Sequence, residues 1–156
     1  MALRVDFGAQ PGLSRYGCHR GVQLSSFTTG REYIVPVRVH ADRGASVLEL
    51  EWPDGHLTRY DFETLRWLCP CAYCRGEAGI PGWLDSNPTL SPIQTQLTDL
   101  ALVGNYALQP TWADGHHTGF YTFLRLREDC PCPEDTERRD RERAAHGEHG
   151  GPRRLG

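Results

Sequence analysis

At positions 33–40, YIVPVRVH, every second residue is Tyr or Val, and this period of two is the first clear sign of regular structure and predicts a β-strand. Pro36 falls within this run and has no N–H to donate to a neighbour, which favours an edge strand over a central one. Residues 41–45, ADRGA, are typical of a turn. We therefore expect ordered structure to begin near Tyr33, with a strand that leads into a hairpin.

The alternation returns at residues 48–52, LELEW, where every second side chain is apolar. The pair Asp54-Gly55 follows and is a strong signal for a two-residue hairpin turn. Residues 56–62 are therefore predicted to form the returning strand, and residues 63–68 one helical turn.

The second half of the chain resumes this pattern after a break. Residues 75–96 are rich in Gly, Pro and Asn and are predicted to be mostly loop. Strand patterns occupy residues 100–112, a second tight turn lies at 114–115, and the last strand is expected at 119–127. The elements together predict an α+β fold of mainly antiparallel strands and hairpins, with one or two short helices.

The chain contains two similar segments, WPDGHLTRYDFETLRWLCPC at residues 52–71 and WADGHHTGFYTFLRLREDCPC at residues 112–132. Trp, Asp-Gly, His and Thr recur in register, and Leu-Arg and Cys-Pro-Cys recur with one residue inserted between. We call residues 52–74 the first copy and residues 112–135 the second copy. The repetition suggests a duplicated scaffold that gathers ligands for a metal ion.

Some residues of this region have predicted structural roles. Trp52, Tyr106 and Trp112 are expected in the core. Arg66 and Arg127 occupy matching positions and are expected to anchor the two copies to backbone carbonyls or nearby acids.

The two ends of the chain give weaker signals. Residues 1–32 form an N-terminal extension that we leave unassigned, and its Cys18 and His19 are interpreted as loop residues. Residues 134–156 are dominated by charged residues and are predicted to be a disordered tail. The ordered domain is therefore expected to span residues 33–133.

Composition narrows the class of protein. The 17 basic residues are all arginine and the net charge is −3, so nothing favours a nucleic-acid partner or lysine chemistry. No apolar run is long enough to cross a membrane, and no apolar stretch typical of a secretory signal begins the chain. We expect a cytoplasmic protein, where six cysteines point to metal binding more than to disulfides.

The sequence contains LRWLCPCAYCRGE and, further on, VGNYALQPTWADGHHTGFYTFLRLR. Over roughly residues 33–132 it resembles the gamma-butyrobetaine hydroxylase-like N-terminal domain, a small domain that also occurs as a standalone bacterial protein. In the carnitine-biosynthesis members of that family, the domain holds a zinc ion and precedes a 2-oxoglutarate- and iron-dependent oxygenase. The same domain is also fused to ATPase scaffolds of iron–sulfur cluster assembly.

The resemblance implies a zinc site made of Cys69, Cys71, Cys74 and His116. Three thiols within six residues need a loop that folds back around a point, and a tetrahedral ion would account for such a loop. The alternatives are iron at the same ligands, or three reduced thiols without metal. His117 is expected at the surface.

The second copy suggests a further metal site by pseudosymmetry. Cys130 and Cys132 match the first two thiols, and Asp135 stands where the first copy has Cys74. With His56 they would form a second site. The alternative is a decayed copy whose thiols bind nothing.

His40-Ala41-Asp42 matches the His-x-Asp pattern that supplies two of the three ligands in a facial-triad iron oxygenase. The motif falls in the predicted turn, and the jelly roll that should follow it is absent, so we interpret both as surface residues and expect no enzyme activity.

The expected function is a metal-stabilised accessory or interaction domain. Its partner would be an oxygenase or an iron–sulfur assembly protein, with homodimerisation left open. The alternatives are an iron-binding role in cluster assembly and a component of an oxygenase system.

Overall fold

The computed structural model describes residues 3–6 and 34–146, and in them the chain forms an α+β fold, which confirms the predicted class. Three antiparallel sheets and short helices alternate along the chain. The strands are β1 Leu3–Asp6, β2 Arg38–Asp42, β3 Val47–Glu51, β4 Leu57–Asp61, β5 Gly76–Glu77, β6 Ile80–Pro81, β7 Leu97–Val103, β8 Ala107–Trp112 and β9 Tyr121–Thr122. The helices are α1 Phe62–Trp67, α2 Ala72–Arg75, α3 Pro92–Thr95, α4 Phe123–Glu128 and α5 Pro133–His146, with a 3-10 helix at Trp83–Ser86.

The first sheet has the order β1-β2-β3-β4, with every pair antiparallel. The predicted edge strand is wrong, because β1 pairs with β2 on the side away from β3. Pro36 lies two residues before β2 begins, so its missing N–H group removes no hydrogen bond from the sheet. Inward-facing residues of β3 and β4 alternate as predicted, with Leu48, Leu50 and Tyr60 almost fully buried.

The predicted turn at 41–45 begins two residues too early. His40 and Asp42 lie in β2, and Asp42 ends it by accepting hydrogen bonds from the backbone N–H groups of Gly44 and Ala45 at 2.9 and 3.0 Å. Backbone hydrogen bonds to its carboxylate lower the pKa of Asp42. Among the described residues, no third donor joins His40 and Asp42 in a group that could hold a metal ion.

The second copy ends in a helix where a strand was predicted. The strand expected at 119–127 is reduced to β9, and α4 begins at Phe123 because the Thr122 hydroxyl accepts a hydrogen bond from the Arg125 N–H at 3.3 Å. In the first copy, Asp61 caps α1 in the same way, with the Thr64 N–H at 2.7 Å. The helical turn predicted at 63–68 is thus confirmed, and its counterpart was missed.

The disordered tail predicted from residue 134 is wrong as far as His146, because this segment forms α5. Pro133 and two acidic residues begin the helix, which suits the N-terminal end of the helix dipole. Arg139 ties α5 to the preceding turn by donating to the carbonyl oxygens of Glu128 and Cys130 at 2.7 and 2.8 Å. Residues 147–156, like Cys18 and His19, lie outside the described part of the chain.

Side chains of each copy reach into the other. The Tyr60 hydroxyl donates to the Leu126 carbonyl at 2.9 Å, and the Tyr121 hydroxyl donates to the Leu65 carbonyl at 3.0 Å. Trp52 and Trp112 are buried as predicted, whereas Tyr106 is 43% exposed and does not belong to the core. The reciprocal contacts place the cysteine loop of each copy beside the tight turn of the other.

Candidate metal centre

The loop between α1 and α2 brings the three cysteines of the first copy together. After α1 ends, the Cys69 N–H donates to the Arg66 carbonyl at 3.2 Å. Cys71 then caps the start of α2, and its carbonyl accepts hydrogen bonds from the N–H groups of Cys74 and Arg75 at 3.0 and 2.9 Å. The loop therefore curves so that the thiol groups of all three cysteines face one common point.

His116 reaches the same point from the second copy. A tight turn fixes it: the Trp112 N–H donates to the His116 carbonyl at 2.9 Å, and the His116 N–H donates to Asp114 Oδ1 at 3.0 Å. Gly115 has a φ of +84°, a left-handed conformation that favours glycine. The turn thus holds the backbone of His116 in place before any ligand binds.

The four donor atoms have the spacing of a tetrahedral site. His116 Nε2 lies 3.3, 3.6 and 3.7 Å from the sulfurs of Cys69, Cys71 and Cys74, and the first two sulfurs are 3.6 Å apart. Zinc bonds of about 2.3 Å to sulfur and about 2.0–2.1 Å to nitrogen would place tetrahedral ligands about 3.5–3.8 Å apart. The residues therefore fit a zinc ion in both chemistry and spacing.

Arg66 supplies the compensating charge. Its side chain is 1% exposed, and its guanidinium approaches Cys74 Sγ at 3.6 Å and Asp114 Oδ2 at 3.3 Å. It also lies over the rings of Trp83 and Trp112, with 5.6 and 5.8 Å to their centroids. A divalent ion with three thiolates and a neutral imidazole carries one negative charge, which this buried cation offsets.

The thiols of Cys69 and Cys74 shift each other's ionisation in opposite directions. A hydrogen bond between Cys69 and Cys74 lowers the pKa of Cys69 to about 4 and raises the pKa of Cys74. Cys69 and Cys74 are fully buried, and Cys71 is partly exposed. The lowered pKa favours the thiolate form of Cys69, and the thiolate is the form that binds a metal ion.

The surrounding residues limit the space at the sulfurs. A Cβ atom on Gly119 would lie 2.8 Å from Cys69 Sγ, so only glycine leaves the thiol in place. Tyr73 lies beside the site: its ring centroid is 6.2 Å from that of His116, and it stacks on Trp83 at a centroid distance of 6.1 Å. Sequence reasoning missed Gly119 and the Arg66–Cys74 contact, although the recurrence of Arg66 as Arg127 was a signal.

The second predicted ligand set also converges. His56 Nε2 lies 3.2 Å from Cys130 Sγ and 4.0 Å from Cys132 Sγ, and Asp135 Oδ2 lies 3.4 Å from His56 Nε2 and 3.3 Å from Cys132 Sγ. Burial and the Arg127 charge lower the pKa of His56, which favours the neutral imidazole. Burial raises the pKa of Cys132 to about 12.

Asp135 has ionic partners as well. Arg127 donates to Asp135 Oδ2 at 2.9 Å, and Arg138 donates to Asp135 Oδ1 at 2.9 Å. Burial opposes ionisation of Asp135, but hydrogen bonds from Arg138 and Cys132, with the Arg127 charge, lower its pKa overall. The carboxylate therefore stays ionised beside the thiols.

His117 does not join either cluster. It is exposed, and its Nδ1 lies 2.9 Å from the Gly115 carbonyl oxygen, which agrees with its prediction as a surface residue.

The anchoring predicted for Arg66 and Arg127 is confirmed, since each pairs with the aspartate of the other copy's turn at 3.3 Å.

None of the helices between residues 34 and 146 combines the length and the apolar character that a membrane-spanning helix needs.

Solved structures resemble this chain at modest sequence identity. A crystal structure from Acidithiobacillus ferrooxidans ATCC 23270, a protein of unknown function in the DUF971 family, is 31% identical, with a TM-score of 0.44 over 59% of this chain and 88% of that one. Two protein structures solved by NMR are 23% and 22% identical, with TM-scores of 0.49 and 0.47. They cover 78% and 79% of this chain, and 89% and 98% of their own. No curated protein matches the chain.

The family itself is identified by a sequence model. The model for "Gamma-butyrobetaine hydroxylase-like, N-terminal" matches residues 39–127, which is more than half of the chain and includes Cys69, Cys71, Cys74 and His116. The resemblance found in the motifs is thereby confirmed, and the chain belongs to the gamma-butyrobetaine hydroxylase-like N-terminal domain family.

Proposed function

We propose that the chain is a non-catalytic accessory domain stabilised by one zinc ion, which Cys69, Cys71, Cys74 and His116 bind. The observation that carries the proposal is the convergence of three thiols and one imidazole at tetrahedral spacing. A set of four protein ligands leaves no position for water or substrate, and such closed sites are structural. The ion would join the two copies, because its thiols and its imidazole come from different ones.

An interaction role is supported by apolar side chains beside the metal loop. Tyr73 is 63% exposed and Ile80 is 72% exposed, and both line one shallow depression together with Trp83. Exposed apolar groups that lie together are typical of protein contacts. We propose a protein partner, either an oxygenase or an iron–sulfur assembly protein, and a cytoplasmic location, which suits the five described free thiols.

Metal content tests the proposal and separates it from an iron-binding role. Protein purified without added metal and dialysed against a weak chelator is expected to retain one zinc per chain and to be colourless. A strong chelator should lower the melting temperature markedly, because zinc binding contributes directly to the stability of such domains. Elemental analysis and visible absorption decide the outcome. Stoichiometric iron with visible absorption would favour the cluster-assembly role, and metal-free protein with full stability would contradict both.

A further inference from the structure

A second cluster of metal-binding side chains lies at the end of the second copy. His56 Nε2, Cys130 Sγ, Cys132 Sγ and one carboxylate oxygen of Asp135 all lie within 4.8 Å of one another. Cys130 is fully buried and Asp135 is 8% exposed, so these groups are largely shielded from water. Together they form one of the two groups of this kind among residues 34–145.

The backbone holds this cluster in the same manner as the first. The Trp52 N–H donates to the His56 carbonyl at 3.0 Å, and the His56 N–H donates to Asp54 Oδ1 at 3.0 Å. These are the contacts that fix His116 in the other turn. The imidazole again comes from one copy and the thiols from the other.

The arginine contacts around the second cluster also match those around the first. Arg127 bridges Asp135 of its own copy, at 2.9 Å, and Asp54 of the other copy, at 3.3 Å. Arg66 likewise lies between Cys74 and Asp114. In both clusters an arginine therefore contacts the third donor of its own copy and the turn of the other copy.

The distances suit a metal ion of the zinc type. A tetrahedral ion bound to sulfur, nitrogen and a carboxylate oxygen places its ligands about 3.3–3.8 Å apart. Asp135 Oδ2 lies within this range, 3.3 and 3.4 Å from its two neighbouring donors. The sulfur–nitrogen distances of 3.2 and 4.0 Å lie just outside it, so a small movement of the His56 ring would complete the site. Two thiolates and an imidazole select a divalent ion such as zinc over magnesium or calcium.

From this geometry we propose that His56, Cys130, Cys132 and Asp135 form a second site for a divalent ion of the zinc type. The second site is weaker and more readily exchanged than the first. Its fourth donor is a carboxylate that two arginines already engage, so the ion must compete with Arg127 and Arg138 for the Asp135 oxygens. The competing state is metal-free, with Asp135 held by Arg127 and Arg138.

Zinc titration of the full chain, followed by native mass spectrometry, tests the proposal. Wild-type protein is expected to bind two zinc ions, of which a weak chelator removes one. Cys132→Ser and His56→Ala should each lose that exchangeable ion and retain the other. A wild-type chain that saturates at one zinc, or a second ion that survives both substitutions, would overturn the proposal.

A gain-of-affinity variant gives an independent test. Asp135→Cys restores the thiol that the first copy has at this position and removes the competition with the arginines. Affinity for the second ion should rise at least tenfold, measured by competition with a chelator of known affinity, and an unchanged or reduced affinity would count against the site. His116→Ala distinguishes this proposal from the proposed function, because it should remove the tightly bound ion and spare the exchangeable one.

Discussion

His116→Ala is expected to release the tightly bound zinc and to lower the free energy of unfolding by at least about 3 kcal/mol. That loss is a small part of the roughly 10–16 kcal/mol with which structural zinc binds small domains. For a folded unit of about 100 residues it corresponds to a fall of roughly 12–24 °C in Tm. The effect is large because His116 is the ligand that ties the second copy to the thiols of the first.

The neighbouring histidine provides the control for this variant. His117 is exposed, and its Nδ1 lies 2.9 Å from the Gly115 carbonyl oxygen, so His117→Ala should change stability by less than about 0.5 kcal/mol. Denaturant unfolding and metal analysis of both variants check the prediction. Equal effects of the two substitutions would mean that no metal ion joins the copies through His116.

Gly82→Ala should be nearly as damaging, for a purely steric reason. Its φ of −78° suits alanine, but a Cβ atom there would lie 2.3 Å from the Cys74 carbonyl oxygen and 2.3 Å from the Gly76 nitrogen. Both are backbone atoms, so no side chain can rotate away, and the loop that holds Cys74 must shift. We expect a loss of about 3 kcal/mol or more, since overpacking costs about 1–3 kcal/mol even where side chains can adjust.

Gly79→Ala is the matched control in the same hairpin. No atom lies within 4 Å of its added Cβ, but its φ is +82°, so only backbone strain of about 1 kcal/mol is expected. Unfolding curves and zinc affinity should rank the two variants clearly, with Gly82→Ala weakening zinc binding as well. A Gly82→Ala variant as stable as Gly79→Ala would show that the hairpin can move without disturbing Cys74.

Local signals allowed much of the fold to be predicted from the sequence. The alternation around Leu50 and the Asp54-Gly55 pair act over a few residues, and they gave the strands and hairpin of the first copy correctly. The convergence of His116 with the cysteines could not come from spacing, because it depends on how the two copies pack. It was available only from the family resemblance, and the side-chain distances now agree with it.

The errors have physical causes of two kinds. Residues 119–127 contain aromatic and apolar residues at spacings that suit either a strand or a short helix, and the cap at Thr122 decides for the helix. The segment after residue 133 was judged by its low hydropathy, yet its Glu and Arg residues favour helix. Tertiary hydrogen bonds from Arg139, which the sequence does not reveal, hold that helix against the domain.

Anomalous X-ray scattering from crystals of protein purified without added metal tests the central claim most directly. The account predicts a peak at the zinc absorption edge surrounded by Cys69, Cys71, Cys74 and His116, with bonds of about 2.3 Å to sulfur and about 2.0–2.1 Å to nitrogen. Crystals with no peak among these four side chains, or with a peak that appears at the iron edge, would contradict it.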